Sequence, residues 1–195
     1  MAQRRHHAER AFERLLRTRR IPYVAVNEAR QALLPGGPGP GDAGGLKNFD
    51  FIVYGRSENL LVEIKGRTIP APACRGVGGR PPRPRLESWV TLDDVDALGR
   101  WQTLFGPGYR AVFVFVYAWP GAEPPPDGLF AEVVGLDGAW HALRAVTLDD
   151  YRPRMRTRSP RWRTVQLPRE DFDRLARPFL LGAPDDRPAL EPLPA

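Results

Sequence analysis

Residues 49–65 constrain this chain more than any other stretch. Phe49 to Tyr54 and Asn59 to Lys65 are apolar runs of strand length, and Gly55-Arg56-Ser57-Glu58 joins them, so the segment predicts an antiparallel hairpin of central strands. Charged residues interrupt both runs, at Asp50 in the first and at Glu63 and Lys65 in the second. A charge inside an apolar strand carries a desolvation cost that some partner has to offset.

Around the hairpin, Ala8, Ala11, Phe12, Leu15 and Leu16 recur at helical spacing and predict a helix from about Arg4 to Arg19. A short strand follows at Ile21 to Val26, then a further helical turn or two at Asn27 to Leu34 before the breaker-rich run 35–41. A second Gly/Pro/Arg-rich loop spans Arg67 to Arg85. Trp89 to Thr91 reads as a short extended piece, about Asp93 to Phe105 as a helix, and Arg110 to Trp119 as a buried strand rich in β-branched and aromatic residues. Beyond Pro120 the predicted elements are strands at Leu129 to Val134 and Trp140 to Val146, a short helix from Leu148 to Met155, a strand at Trp162 to Leu167 and a helix from Arg169 to Leu180. The reading is an α/β core over residues 1–120, a β-rich α+β extension over 121–181 packed on it, and a flexible tail over 182–195.

With 195 residues, one compact unit is the expectation. The formal net charge of +6 favours polyanionic partners such as nucleic acid. Arg supplies nearly all of the positive charge, and Lys occurs only at Lys47 and Lys65, which makes each lysine worth inspecting. The single cysteine, Cys74, allows neither an internal disulfide nor a cysteine-based zinc site. No run of about 18 apolar residues occurs, and the charged N-terminus lacks the apolar centre of a signal peptide. A cytoplasmic protein with no membrane partner is the expectation.

Side chains alternate faces along a strand, so Glu63 and Lys65 project together while Ile64 points into the other layer. If the hairpin brings Asp50 beside them, the two carboxylates and the Ile64 carbonyl supply hard oxygen donors for Mg²⁺ or Mn²⁺. Lys65 is then placed to orient a water or stabilise charge developing on a phosphate. The plainer alternative is an exposed cross-strand Glu/Lys pair worth under about 1 kcal/mol.

Phe49-Asp50-Phe51-Ile52-Val53, Leu61-Val62-Glu63-Ile64-Lys65 and the α-β-β-β-α-β order over roughly residues 5 to 119 resemble the PD-(D/E)XK nuclease superfamily, in a layout similar to the archaeal Holliday-junction resolvases. The proline of the superfamily's name is absent, since Asn48-Phe49 precede Asp50. The resemblance implies a restriction-endonuclease-like fold with a mixed central sheet flanked by helices. It also implies a metal-binding Glu on the first helix, where Glu9 borders the apolar stripe and Glu13 lies further toward solvent. Gln102, within the apolar arc of Val95, Leu98, Trp101 and Phe105, resembles a Gln that points toward the active site in several branches. A core or capping hydrogen bond is the other reading. Separately, His7-Ala8-Glu9-Arg10-Ala11-Phe12-Glu13 resembles the signature of the uncharacterised HYExAFE family, with Ala8 in place of its Tyr; His7 is a further candidate to orient a carboxylate or contact phosphate.

Two basic stretches suit phosphate contacts. Arg83 and Arg85 belong to the Gly/Pro loop. Arg154, Arg156, Arg158 and Arg161 belong to a denser cluster in which Tyr151 and Trp162 are interleaved. The functional expectation is a metal-dependent nuclease hydrolysing DNA, in preference to RNA, at branched or damaged sites, with a homodimer compatible with it. Two alternatives stand beside it: a catalytically silent nucleic-acid-binding module on the same fold, and a protein-interaction domain.

Overall fold

The computed structural model describes residues 2–26, 47–55, 57–69, 86–119, 124–125 and 132–179. Helix α1 (Ala2–Thr18) leads into strand β1 (Tyr23–Ala25), followed by the hairpin β2 (Phe51–Tyr54) and β3 (Asn59–Thr68). A short β4 (Val90–Thr91) then opens directly into α2 (Leu92–Phe105), which returns the chain to β5 (Tyr109–Trp119). Apart from β4, which joins a different sheet, this is the expected α-β-β-β-α-β order. The remaining elements are β6 (Val133–Leu136), β7 (Ala139–Thr147), α3 (Leu148–Tyr151), β8 (Arg156–Ser159), β9 (Thr164–Gln166) and α4 (Arg169–Leu175).

Six strands form one sheet in the order β1-β2-β3-β5-β7-β6. The β3–β5 pair is parallel and the others antiparallel, so the sheet is mixed. A parallel neighbour needs a crossover, which α2 provides. Strands β6 and β7, from beyond residue 120, add to the edge of this same sheet, while β4, β9 and β8 form a second sheet of three strands.

Alternation along β3 and β5 divides the core into two layers. Val62, Ile64, Val112, Val114 and Val116 pack with Phe12, Leu15 and Leu16 of α1 on one face. Leu61, Phe113, Phe115 and Tyr117 pack with Val95 and Leu98 of α2, Tyr151 of α3 and Phe172 of α4 on the other. A strand covered on both faces reads as a continuous apolar run, which is how β5 appears in the sequence.

Some boundaries differ from expectation. Helix α3 stops at Tyr151 because Pro153 has no N–H to extend the ladder. Helix α4 ends at Leu175, and Arg177 instead forms a two-bond bridge to Ala145 of β7, with N–O distances of 2.8 and 2.9 Å. Strand β8 had no counterpart in the sequence reading. The segments 27–34, 70–85 and 182–195, with the turns, loop and tail expected there, lie outside the described residues.

Candidate functional site

The site is built where the β2–β3 hairpin passes under the N-terminus of α2. The register pairs Phe51 with Val62, and one residue earlier the backbone N–H of Asp50 donates to the Val62 carbonyl at 2.9 Å. The Asp50 carboxylate accepts the Ile64 N–H at Oδ2, 2.6 Å away. The hairpin therefore holds Asp50 against the Glu63-Ile64-Lys65 tripeptide, as the sequence reading required.

Leu61, Glu63, Lys65 and Arg67 occupy one face of β3, the face covered by α2. Glu63 is 2% exposed. Its compensation comes from Lys65, whose Nζ lies 2.7 Å from Glu63 Oε1 and 2.7 Å from Asp94 Oδ2. Lys47 completes the arrangement: its ammonium is ion-paired to Asp94 Oδ1 and lies 3.4 Å from Glu63 Oε1. Two ammonium groups and two buried carboxylates thus alternate in one cluster. Both lysines of the chain belong to it.

Asp94 owes its position to α2. It is the third residue of the helix, and it closes a capping box with Thr91: the Asp94 N–H donates to Thr91 Oγ1 at 3.1 Å and the Thr91 N–H donates to Asp94 Oδ2 at 3.0 Å. Burial acts to raise its pKa, but the charge of Lys65 and the hydrogen bonds of Lys47 and Lys65 outweigh it and hold the carboxyl well below the usual carboxylate range. Lys47 is placed through its backbone, since the Trp101 indole N–H donates to the Lys47 carbonyl at 2.8 Å. Phe49, two residues on, packs edge-on against Trp101, with ring centroids 5.5 Å apart. The crevice between these elements, lined by Lys47, Asn48, Phe49, Glu63, Asp94 and Trp101 among others, is too tight to admit a water molecule.

Asp94 and Lys47 were missed in the sequence. Asp94 has a signature there, because Asp94, Leu98, Trp101 and Phe105 fall on one helical face and a carboxylate at its head is an exception to explain. Lys47 had its rarity.

The other expected residues fall elsewhere. Glu9 is half-buried on α1, which packs on the Val62/Ile64 face, opposite the layer holding Glu63 and Lys65. Glu13 accepts hydrogen bonds from Arg17 and from the Tyr23 hydroxyl, both at 2.7 Å, on the outer side of that helix. His7 is exposed on the same helix. Gln102 bridges three elements: its Oε1 accepts the Ala111 N–H at 2.6 Å and its Nε2 donates to Asp149 at 3.2 Å. These bonds tie α2 to the start of β5 and to α3.

The basic cluster is partly neutralised. Arg154, Arg158 and Arg163 lie 3.8, 3.8 and 3.2 Å from Asp150, Glu87 and Asp93, whereas among the described residues Arg156 and Arg161 have no carboxylate partner. Arg83 and Arg85 lie outside the described residues. Arg67 continues the Glu63/Lys65 face. Its guanidinium stacks 3.9 Å from the centre of the Trp89 ring and donates to the Gly66 and Trp89 carbonyls, and burial lowers its pKa.

Asp50, Glu63 and the Ile64 carbonyl offer only oxygen donors, the type Mg²⁺ or Mn²⁺ takes, while Asp50 Oδ2 accepts the Ile64 N–H and Glu63 Oε1 faces both lysines. Among the described residues no group of three or more His, Cys, Asp or Glu side chains is arranged to hold a metal ion. No helix among them is long and apolar enough to cross a membrane.

No protein-family model matches the chain, so the N-terminal likeness to the HYExAFE group has no family match behind it, and no curated protein matches it either. Among solved structures the chain is similar to Hjc, a Holliday junction resolvase from the archaeal hyperthermophile Archaeoglobus fulgidus, with 13% identity over 87% of this chain and 93% of that one and a TM-score of 0.47. Likeness of that degree does not carry residue roles from one chain to the other.

Proposed function

We propose that this protein is a metal-dependent nuclease that hydrolyses phosphodiester bonds in DNA. The observation that carries the reading is the joint placement of Asp50, Glu63 and Lys65: a hairpin carboxylate fastened to the Ile64 N–H at 2.6 Å, and an ammonium 2.7 Å from the neighbouring buried carboxylate. Asp50, Glu63 and the Ile64 carbonyl would hold the divalent cation, which supplies Lewis-acid polarisation of the phosphate. Lys65 keeps a positive charge at the position where negative charge develops on the phosphorane oxygens. Asp94, bonded to Lys65 and fixed by the Thr91 cap, holds that ammonium in one place before substrate arrives. The net positive charge, with Arg156 and Arg161 lacking a carboxylate partner among the described residues, favours a polyanionic substrate.

The test is cleavage of labelled single-stranded, duplex, flap and four-way-junction DNA, and of RNA, with and without Mg²⁺ or Mn²⁺, by wild type, Lys65→Ala and Asp50→Asn. Cleavage that needs the cation and falls at least about 100-fold in both variants is the expected result. Cleavage by both variants at the wild-type rate removes the assignment.

One observation favours a second reading, a nucleic-acid-binding module without turnover. Lys47 and Lys65 already pair with Glu63 and Asp94 in a crevice too tight for water, an arrangement that serves as a structural device. Nucleic-acid affinity unaffected by Mg²⁺, with no cleavage by any variant, is the outcome that selects it.

A further inference from the structure

The β8–β9 hairpin ends in the turn Pro160-Arg161-Trp162-Arg163, and Trp162 is 69% exposed. An isolated exposed aromatic is ordinary on a protein surface. The way this one is presented is not. Arg163 holds the left-handed backbone conformation (φ 46°), which a non-glycine residue adopts at some cost. Its N–H donates to the Pro160 carbonyl at 3.2 Å, closing the turn. Its carbonyl accepts the Leu92 N–H at 2.8 Å, and its guanidinium meets Asp93 at 3.2 Å. The adjoining Thr164 pairs with Thr91 across β9 and β4. The tip is therefore fastened to the first turn of α2, while the indole between those anchors is left in water.

That first turn carries Asp94, so the tip borders the charged cluster. One residue along the tip, one hydrogen bond and two helical residues separate Trp162 from Asp94 in the chain of connections. Among the described residues two cations of this hairpin have no carboxylate partner: Arg161 at the tip, whose guanidinium lies 5.3 Å from the Trp162 ring centre, and Arg156 at the far end of β8, opposite Gln166. Exposed aromatic and unneutralised guanidinium together match the two faces of an unpaired nucleotide, a π-surface to stack on and a phosphate to neutralise. A continuous duplex hides its base faces in the stack and offers only the phosphates.

We propose that the β8–β9 tip is a stacking platform for an unpaired nucleobase, with Trp162 receiving the base, Arg161 the adjoining phosphate and Arg156 a phosphate further along the strand, so that the protein prefers nucleic acid with unpaired bases near the bound site over continuous duplex. This rests on the nuclease reading for the substrate class only. Binding is measured without divalent cation, so a failure here and a failure of cleavage are separate results.

The test uses the full chain in EDTA-containing buffer, with fluorescence anisotropy on two DNA probes of equal length, one a continuous duplex and one carrying a short single-stranded gap. A second gapped probe carries 2-aminopurine at the unpaired position, whose fluorescence is quenched on stacking. Wild type is expected to favour the gapped probe and to quench the 2-aminopurine. Trp162→Ala is expected to lose about tenfold in affinity for the gapped probe, leave duplex affinity unchanged and abolish the quenching, with Trp162→Phe retaining most of the effect. Arg161→Ala and Arg156→Ala are expected to weaken both probes and to flatten the salt dependence by about one unit each. Equal affinity of Trp162→Ala and wild type for the gapped probe, with unchanged quenching, overturns the proposal, as does the absence of any binding. So does a Trp162→Ala variant that loses self-association in light scattering while its DNA affinity stays the same, which assigns the tip to a protein contact.

Discussion

Replacing Asp94 by Asn tests the charged cluster most directly, because the amide oxygen can still accept the Thr91 N–H while the negative charge is lost. Asp94 is 4% exposed and faces both lysine ammonium groups. Removing it takes a carboxylate partner from both ammonium groups, each of which also lies within 3.4 Å of Glu63 Oε1. Breaking a buried pair by removing one partner costs about 3–5 kcal/mol, and the partial exposure of Lys47 reduces this to about 2–3 kcal/mol. Thr91→Ala, which removes only the cap, costs about 1 kcal/mol, so urea unfolding followed by circular dichroism separates charge from cap. The pH dependence follows from the depressed pKa of Asp94. The unfolded chain takes up this proton near its ordinary value of about 3.9, before the folded chain does, so the stabilisation is fully present above that value and is lost as pH falls toward the folded one. At pH 3 the difference between wild type and Asp94→Asn should be smaller by about 1 kcal/mol than at pH 6. A difference below about 0.5 kcal/mol at pH 6, or one that does not shrink in acid, refutes the account of the cluster.

Three further outcomes are expected. Phe12 is fully buried and packs edge-on against Phe51 and Phe179, with ring centroids 5.2 and 5.0 Å away, so Phe12→Ala should lower stability by about 3–5 kcal/mol in urea unfolding. Gln102→Ala leaves the Ala111 N–H without its acceptor and should cost about 1–3 kcal/mol with cleavage per folded molecule unchanged; lost cleavage at wild-type stability assigns Gln102 to the chemistry instead. Burial raises the pKa of Tyr117 and Tyr151, so two of the five tyrosines should stay un-ionised in ultraviolet titration until the chain unfolds. Stability should fall as pH rises above about 10, and early ionisation of all five contradicts this.

The elements that carry their own pattern were legible in the sequence. Helix α1 shows its stripe at Ala8, Ala11, Phe12, Leu15 and Leu16, and all five are buried. Strand β5 is an unbroken apolar run because both faces are covered. Strand β8 has neither signal. Arg156-Thr157-Arg158-Ser159 is mostly exposed at the edge of a three-stranded sheet, and its pairing partner β9 supplies the apolar side chain Val165. An edge strand of this kind is defined by its neighbour, and charged side chains on such an edge also discourage pairing with other chains.

The site divides the same way. Asp50, Glu63 and Lys65 were legible because a short hairpin joins them, so local alternation and turn length fix their relation. The Lys47–Asp94 pair spans 47 residues and depends on α2 crossing over β3, a contact that no window of sequence contains. What the sequence did hold was the exception itself: a carboxylate at the head of an apolar helical face, and a second lysine in a chain that otherwise uses arginine. Arginine's wide, planar guanidinium would not sit in a crevice too tight for water in the way two compact ammonium groups do, each shared between two carboxylates. Lys65→Arg should therefore disturb the cluster despite preserving the charge, and the scarcity of lysine elsewhere marks the two positions where this chain cannot use its preferred cation.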